Sequence, residues 1–267
     1  IMHHSAPSPF APLPSRLRAS AYSPASHPVY NDLVTANPLE RLHTIPLFEG
    51  LSESQYEWMR QRMRAHTYPA GVDVITAGAQ GETIYIILSG TVKVYMINLD
   101  GSEVTLALLG PGDPVGEMSL VDGRDRSASV VTLEDSVLLW MNREDFNAAL
   151  NSIPRLAQNL LRVIAMRLRD SSDNVRALAS LDVNGRVARQ LLAFAERYGQ
   201  PAAGGAILLP MRLTQGDLSE LVGASRKRVN QVIGALKRSG MIAIDEALHI
   251  TLRDRDELMR WAEETEG

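Results

Sequence analysis

The chain has 267 residues, of which 45% are hydrophobic, enough apolar material for one to three compact domains. Its formal net charge of −4 gives no global attraction for nucleic acid, so any basic surface must be local. The absence of cysteine excludes disulfides and iron–sulfur clusters, the six histidines show no metal-ligand spacing, and no apolar run reaches the roughly 18 residues of a membrane span.

The first 37 residues are rich in proline, serine and alanine. Such a segment buries too little apolar surface to offset the entropy of ordering. Residues 1–37 are therefore expected to form a flexible arm, with a functional tail as the alternative. The segment lacks the continuous apolar region of a secretory signal, so a cytoplasmic location is expected.

Ordered structure is expected to begin at Asn37-Pro38, a helix-start signal followed by apolar residues at helical spacing. Pro46 is expected to end this first turn. A second helix is predicted over Leu51–Met63, because Ser52 is a favourable N-cap and Glu53 lies where the helix dipole favours an acidic side chain.

Residues 67–141 change to short β-rich runs separated by glycine turns, a pattern typical of an antiparallel barrel or jelly roll. Asp100-Gly101 predicts a tight hairpin turn. A roll of this size can enclose one small ligand. The predicted strands are Val72–Thr76, Thr83–Leu88, Val92–Ile97, Glu103–Leu109, Ser127–Thr132 and Ser136–Met141.

The segment Gly116–Ala128 is expected to be an ordered loop across the mouth of this roll. The guanidinium of Arg126 and free backbone N–H groups suit a phosphate. The carboxylate of Glu117 repels a phosphate but accepts hydrogen bonds from a ribose hydroxyl. A ligand with both groups side by side is a cyclic nucleotide. The alternative is that Glu117 and Arg126 pair with each other and only hold the loop.

After a short helix, Arg143–Leu150, a long helix of roughly 40 Å is predicted over about Arg155–Leu181. Its apolar stripe has heptad spacing, which indicates a parallel two-stranded coiled coil in a homodimer. The alternative is that the stripe packs on the barrel of the same chain. Ser171 and Ser172 lower the stability of such a seam but suit a ligand held between barrel and helix. The predicted seam consists of Ala157, Leu161, Ile164, Leu168, Ser171, Val175 and Leu178.

Leu181-Asp182-Val183 is predicted to be a hinge, with Asp182 capping a helix over Gly185–Tyr198. A loop is predicted for Gly199–Gly205. The strands expected after it form a small wing. They are Ala206–Met211, Ile242–Asp245 and His249–Leu252.

Between the wing strands, two short helices joined by a glycine-containing turn predict a helix-turn-helix, Gln215–Leu221 followed by Arg226–Ser239. The second helix has an apolar face and an opposite polar, basic face. Arginine and amide side chains near its start suit base edges, and its cations suit phosphates. A solvated basic face is the alternative. The candidate DNA contacts are Thr214, Ser225, Arg226, Lys227, Arg228, Asn230, Gln231 and Lys237.

Residues 38–253 resemble the cyclic AMP receptor protein family of bacterial transcription regulators. Gly116-Glu117-Met118 and Arg126-Ser127-Ala128 are similar to the phosphate-binding cassette of that family. Leu181-Asp182-Val183-Asn184-Gly185-Arg186 is similar to its hinge and first DNA-domain helix. Val222-Gly223-Ala224-Ser225-Arg226 is similar to its turn and recognition-helix start.

The resemblance implies an α+β chain built from an antiparallel β jelly-roll domain that binds a cyclic nucleotide (38–153), a dimerisation helix (154–181) and a winged helix-turn-helix DNA-binding domain (182–267). It implies that Arg126 and Ser127 bind the cyclic phosphate and that Glu117 binds the ribose 2′-hydroxyl. It also implies that Ser171 binds the adenine amino group in its own chain and that Ser172 reaches the nucleotide of the partner chain. The other implied ligand contacts are Val94, Leu109, Gly116, Met118, Ala128 and Arg167.

The DNA-reading helix departs from the best-known pattern of this family. Arg226 matches, but Lys227 replaces a glutamate and Gln231 replaces a second arginine. Recognition of cytosine by a carboxylate is lost and glutamine prefers adenine, so altered half-sites are expected.

The expected function is a homodimeric regulator that responds to cyclic AMP and binds palindromic promoter DNA in the nucleoid. Ser171 and Ser172 favour cyclic AMP over cyclic GMP. RNA polymerase is a further expected partner, and neither a metal nor a membrane is expected. One alternative is a DNA-binding regulator of the same fold that is active without nucleotide. Another is a sensor that acts through protein contacts only. No nucleophile–base constellation supports an enzyme.

Overall fold

The computed structural model describes residues 38–263, and the arm predicted for residues 1–37 lies outside them. The described chain begins with two 3-10 turns, Pro38–Thr44 and Pro46–Phe48. The first turn ends before Pro46, as predicted, and Pro46 also begins the second turn, because its fixed φ suits the first helical position. Helix α1 follows at Glu53–Arg62, and Ser52 caps it through reciprocal hydrogen bonds with Gln55.

Eight strands and a short helix, α2 (Glu117–Asp122), follow within residues 64–142. The strands are β1 Arg64–Tyr68, β2 Asp73–Ile75, β3 Thr83–Ser89, β4 Val92–Ile97, β5 Glu103–Leu109, β6 Pro114–Val115, β7 Ser129–Thr132 and β8 Ser136–Asn142. They pair antiparallel in two four-stranded sheets, with the orders β1-β8-β3-β6 and β2-β7-β4-β5. The predicted jelly roll is therefore confirmed. The hairpin turn at Asp100-Gly101 joins β4 to β5, and Gly101 has the positive φ that such turns require.

Strands β1 and β6 were missed by the sequence prediction. Almost all of β1 is exposed, so it lacks the alternation of apolar and polar residues that marks a half-buried strand. It lies at a sheet edge and pairs with β8. Strand β6 has only two residues and begins with Pro114, so no periodicity could reveal it.

The two sheets enclose an apolar interior to which Ile87, Val92, Leu109, Val130 and Leu138 contribute. The outer face of the first sheet is covered by α1, by helix α3 (Arg143–Ser152) and by the start of helix α4 (Pro154–Ser180). These layers bury most of β3 and β8, and β3 pairs with β6, which leads into the segment that follows.

Helix α4 presents two different faces. Leu156, Leu160 and Val163 are buried against the roll. The apolar seam residues Leu161, Leu168, Val175 and Leu178 are instead 50% to 68% exposed. The alternative in which this stripe packs on the barrel of the same chain is therefore wrong for these four residues.

The C-terminal part begins with helix α5 (Val183–Tyr198), which Asp182 caps through the backbone N–H of Gly185. The elements that follow are β9 Gln200–Pro201, β10 Ile207–Leu209, α6 Gln215–Leu221, α7 Arg226–Arg238, β11 Ile242–Ile244, β12 Ile250–Leu252 and α8 Arg255–Glu263. The four strands form one sheet in the order β11-β12-β10-β9. Helix α8 was not predicted; it packs on α5 and buries Leu258.

The C-terminal part packs directly on the roll. Leu108 of β5 belongs to the apolar core of the C-terminal part, and the backbone N–H of Arg212 donates to Thr91 Oγ1 at 3.0 Å. Gly110 makes room for this contact, since a Cβ there would lie 3.2 Å from atoms of Met211 and Tyr198. None of the helices in residues 38–263 combines the length and the apolar character that crossing a membrane requires.

Candidate functional site

The segment Gly116–Ala128 is not entirely a loop, as was predicted. It contains the six-residue helix α2, Glu117–Asp122. Gly116 and Gly123 flank this helix, and both adopt the left-handed conformation that glycine tolerates best. A helix of fewer than two turns between two glycines shows no measurable periodicity, which explains the error. Its effect is to turn Glu117 into the protein interior.

Arg126 lies under this helix and is only 8% exposed. Its Nη1 donates to the carbonyl of Gly116 at 2.6 Å and to Ser119 Oγ at 2.8 Å, and its Nη2 donates to the carbonyl of Thr83. Burial lowers the pKa of the guanidinium. Within residues 38–263 Arg126 has no ion pair with a carboxylate. The alternative in which Arg126 only pairs with Glu117 is therefore wrong, and a buried positive charge remains for an anion.

Glu117 is 2% exposed and pairs with a residue that the sequence did not connect to it. Its Oε1 accepts from Arg167 Nη1 of α4 at 2.6 Å. Arg167 also donates to the carbonyl of Pro114, which ties the long helix to the cassette. The second oxygen, Glu117 Oε2, is buried and has no hydrogen-bond partner among the described residues. A buried acceptor without a donor is costly, and a ligand hydroxyl would satisfy it.

The backbone of Gly116 leaves no room for a side chain beside the buried arginine. Its φ is +82°, and a Cβ built there would lie 2.5 Å from Arg126 Nη1. Gly116→Ala is expected to destabilise the roll by about 1–3 kcal/mol and to displace Arg126. Gly123→Ala is the matched control, because Gly123 has a similar φ of +72° but open space around its Cα. Urea unfolding of both variants measures the difference, and equal destabilisation would contradict the role given to the Arg126 contact.

The structure brings four predicted ligand contacts together at the cassette: Gly116, Glu117, Arg126 and Arg167. Ser119 was missed, because a serine in an assumed loop has no evident partner, yet it accepts a hydrogen bond from Arg126. The other predicted contacts differ in burial: Ser127 and Met118 are exposed, Ala128 is buried, and Val94 and Leu109 pack in or against the interior of the roll.

The two predicted serines lie farther along α4. Ser171 is one helical turn beyond Arg167 and therefore shares its side of the helix. Ser172 donates back to the carbonyl of Leu168 at 2.9 Å. Both serines are exposed, and within the described residues neither hydroxyl forms a hydrogen bond to the cassette. Their contacts with a nucleotide therefore remain predictions.

Helices α6 and α7 form the predicted helix-turn-helix. Thr214 caps α6 through reciprocal hydrogen bonds with Asp217, and Ser225 caps α7 by accepting from the backbone N–H of Arg228 at 3.3 Å. The apolar residues of α7 are buried, whereas its polar residues are exposed on one surface. These exposed residues are Arg226, Lys227, Arg228, Asn230, Gln231 and Lys237.

Glu220 of α6 was not predicted to have a role. It accepts from Thr105 Oγ1 of β5 at 2.6 Å, and its other oxygen lies 3.7 Å from the guanidinium of Arg226. The Arg226 side chain is 76% exposed, so this ion pair is weak and leaves the guanidinium accessible.

Comparison with known proteins agrees with both halves of this description. Residues 65–152 match the family model of the cyclic nucleotide-binding domain, and residues 185–261 match that of the Crp-like helix-turn-helix domain. The structure of FixK2 from Bradyrhizobium japonicum shares the fold, with a TM-score of 0.66 at 23% identity, covering 76% of this chain and 99% of FixK2. TTHA1359, a CRP/FNR-family transcriptional regulator from Thermus thermophilus, has a TM-score of 0.58 at 26% identity over 76% of this chain and all of its own.

Two curated relatives cover most of the chain. The CRP-like cAMP-activated global transcriptional regulator of Mycobacterium tuberculosis is 35% identical over 216 residues, which are 81% of this chain and 96% of the relative. The cyclic AMP receptor protein of Thermus thermophilus is 35% identical over 199 residues, which are 74% of this chain and 88% of the relative. The chain therefore belongs to the CRP/FNR family of transcription regulators, which are DNA-binding proteins and not enzymes.

Proposed function

We propose that this protein is a homodimeric transcription regulator that binds palindromic promoter DNA when cyclic AMP occupies its cassette. The observation that carries the proposal is, within residues 38–263, a buried positive charge without a counter-ion beside a buried carboxylate oxygen without a hydrogen-bond donor. Arg126 has no anionic partner and Glu117 Oε2 has no donor among the described residues. They stand nine residues apart on one short segment. A cyclic phosphate and its neighbouring ribose hydroxyl complement both groups.

The remaining nucleotide contacts are assigned to α4. Arg167 holds Glu117 from this helix, and Ser171 lies one turn farther on the same side. A hydroxyl there suits the adenine amino group. Because a hydroxyl also donates to a carbonyl, the preference for cyclic AMP over cyclic GMP is moderate in energy. Ser172, which lies next to the seam, is assigned to the nucleotide of the partner subunit.

The exposed seam of α4 supports the homodimer. Four large apolar side chains repeat with heptad spacing on a helix of 27 residues, and all are at least half exposed in the single chain. Such a stripe is unfavourable in water and is buried when two copies pair in a coiled coil. A nucleotide that touches the cassette and both copies of α4 binds the paired state best and therefore stabilises it.

The coupling free energy between nucleotide binding and DNA binding can be estimated. A 100-fold gain in DNA affinity requires about 2.8 kcal/mol of differential binding between the two states. Hydrogen bonds to charged groups contribute roughly 1.5–3 kcal/mol each. The contacts assigned to Arg126 and to the two serines can supply this free energy when some of them form only in the paired state.

The DNA contacts divide into base contacts and phosphate contacts. Arg226 at the start of α7 is assigned to a guanine edge, and Lys237 near the end of α7 to a phosphate. Arg226→Ala is expected to weaken DNA binding by about 1–3 kcal/mol and to relax specificity at one base position.

Lys237→Ala is expected to weaken binding to all DNA sequences alike. It is also expected to reduce the slope of log affinity against log salt concentration by about one. Competition binding with single-base variants of the DNA site measures the effects of both substitutions. If Arg226→Ala weakens binding to all these variants equally, Arg226 contacts a phosphate and not a base.

Fluorescence titration of a palindromic DNA tests the proposal as a whole. The DNA is selected from a random pool by the wild-type protein, and the affinity is measured at fixed salt without nucleotide, with cyclic AMP and with cyclic GMP. Cyclic AMP is expected to raise the DNA affinity most. Equal affinity under all three conditions would instead support a regulator that is active without nucleotide.

A further inference from the structure

The guanidinium of Arg226 folds back on α6, the helix that precedes the turn. A Cβ built on Gly216 would lie 3.4 Å from Cζ, Nε and Nη2 of Arg226, so the guanidinium lies over the bare backbone of this residue. One helical turn farther along α6, Glu220 Oε1 lies 3.7 Å from Arg226 Nη2. We call the surface formed by Gly216 and Glu220 the Arg226 cradle.

Both cradle residues are held by the packing of the helix-turn-helix itself. Ser219 is buried between them and donates to the carbonyl of Gly216 at 2.8 Å. Leu218 of α6 is buried in the same apolar core as Val229 of α7. The position of the cradle relative to Arg226 is therefore set within this pair of packed helices, and the cradle moves with them as one body.

Glu220 brings a negative charge to a strongly basic helix start. Helix α7 contains no acidic residue, and it begins with Arg226, Lys227 and Arg228. Without a carboxylate beside it, Arg226 would attract phosphates as its two neighbours do. The carboxylate of Glu220 partly neutralises the guanidinium and repels a phosphate that approaches it. Specificity arises from contacts that are disfavoured as well as from contacts that form.

A guanine edge remains compatible with the cradle. Its O6 and N7 are neutral acceptors, which take two hydrogen bonds from one guanidinium. Arg226 has five N–H donors and its side chain is 76% exposed, so donors stay accessible beside the contact with Glu220. An arginine that is already oriented also loses less rotamer entropy when it binds. The cradle therefore favours a base edge over a phosphate as the partner of Arg226.

We propose that Glu220, together with the bare backbone of Gly216, is a positioning and specificity-determining element of the DNA interface, which directs Arg226 to a guanine edge and keeps it from the phosphates. This role rests on the proposed function, because it assumes that Arg226 reads a base. It assigns part of the sequence specificity to α6, the helix that does not itself enter the major groove.

Two variants of the full-length protein test the cradle. Glu220→Gln removes the charge at nearly constant shape, and Gly216→Leu places a side chain where the guanidinium lies. With saturating cyclic AMP at fixed salt, the measured quantity is a ratio of affinities. It compares the selected palindromic DNA with the same DNA changed at the base pair that Arg226→Ala relaxes. Both variants are expected to lower this ratio by about fivefold, the lower end of the discrimination that a bidentate arginine supplies.

A double-mutant cycle shows whether Glu220 acts through Arg226. In an Arg226→Ala background, Glu220→Gln is expected to leave the ratio unchanged, because the cradle then has nothing to position. If Glu220→Gln lowers the ratio equally in both backgrounds, Glu220 does not act through Arg226 and the cradle is refuted.

Two controls isolate the position of the charge. Glu196→Gln makes the same chemical change at an exposed residue of α5 and is expected to leave the ratio unchanged. Thr105→Val removes the hydrogen bond from the roll to the other oxygen of Glu220, and the ratio is again expected to be unchanged. If either control lowers the ratio as much as Glu220→Gln does, the effect does not come from the cradle. Thermal unfolding verifies that all variants are folded.

The same measurements separate this inference from the proposed function. If Arg226→Ala relaxes one base position while Glu220→Gln keeps the wild-type ratio, the proposed function stands and the cradle fails. If Arg226→Ala weakens all sequences alike, the base contact of Arg226 fails and the cradle fails with it. If the wild type binds the selected DNA equally well without cyclic AMP, only the assignment of the effector fails, and the ratio still tests the cradle.

Discussion

Arg126→Leu is expected to weaken cyclic AMP binding by at least about 100-fold, equivalent to about 2.8 kcal/mol, and to abolish the effect of the nucleotide on DNA binding. The guanidinium is buried without a carboxylate partner in the described residues, so its charge is available to the phosphate at low local dielectric. Leucine fills a similar volume but offers neither charge nor donors. Isothermal titration calorimetry with cyclic AMP measures the loss.

Arg124→Leu is the control for this substitution. Arg124 belongs to the same segment and is exposed, so the same chemical change there removes a charge from the surface only. Its nucleotide affinity is expected to stay within about twofold of the wild type, since exposed charges contribute little. Sedimentation verifies that both variants remain dimers. An unchanged calorimetric affinity of Arg126→Leu would contradict the assignment of the cassette.

Leu168→Glu is expected to dissociate the homodimer and, with it, to remove high-affinity DNA binding. Leu168 lies at the middle of the exposed seam of α4, so a pair of helices would bring two carboxylates together in an apolar interface. Burying unpaired charges costs several kcal/mol, which corresponds to more than about a 100-fold loss of dimer affinity. Analytical ultracentrifugation over a range of protein concentrations measures the loss of dimer affinity.

Arg169→Gln changes the net charge by the same amount at the next residue. Arg169 is exposed and lies outside the heptad seam, so its replacement is expected to leave the dimer intact. A Leu168→Glu protein that still sediments as a dimer would show that the seam is not the interface. If Leu168→Glu is a monomer, its affinity for cyclic AMP tests the contact assigned to Ser172, because that contact requires two chains.

The parts of the fold that could be predicted are those with a local chemical cause. Glycine turns between β-branched runs located the roll, and Ser52 and Asp182 marked helix starts because a capping side chain acts within three residues. The exposed basic face of α7 followed from helical periodicity alone. In each case the determining interaction lies within a few residues, where sequence spacing translates directly into geometry.

Contacts between distant segments could not be predicted. The partner of Glu117 is Arg167, 50 residues away, and an ion pair joins Asp113 to Arg197 across 84 residues. Nothing in the local sequence distinguishes these side chains from other charged residues. Their pairing depends on how α4 and α5 pack on the roll, which is a property of the tertiary fold. The same limit hid the acceptors of Arg126, two of which are backbone carbonyls.

The distance between the two copies of α7 tests the central claim most directly. Because the chain has no cysteine, Lys227→Cys accepts a single spin label in each subunit. Pulsed electron–electron double resonance measures the distribution of distances between the labels of the two subunits. Cyclic AMP is expected to narrow this distribution to a distance of about 34 Å, the separation of successive major grooves. The same label in an Arg126→Leu background should not respond. A distribution that cyclic AMP leaves unchanged, or the absence of any dipolar signal between subunits, would contradict a nucleotide-aligned dimer.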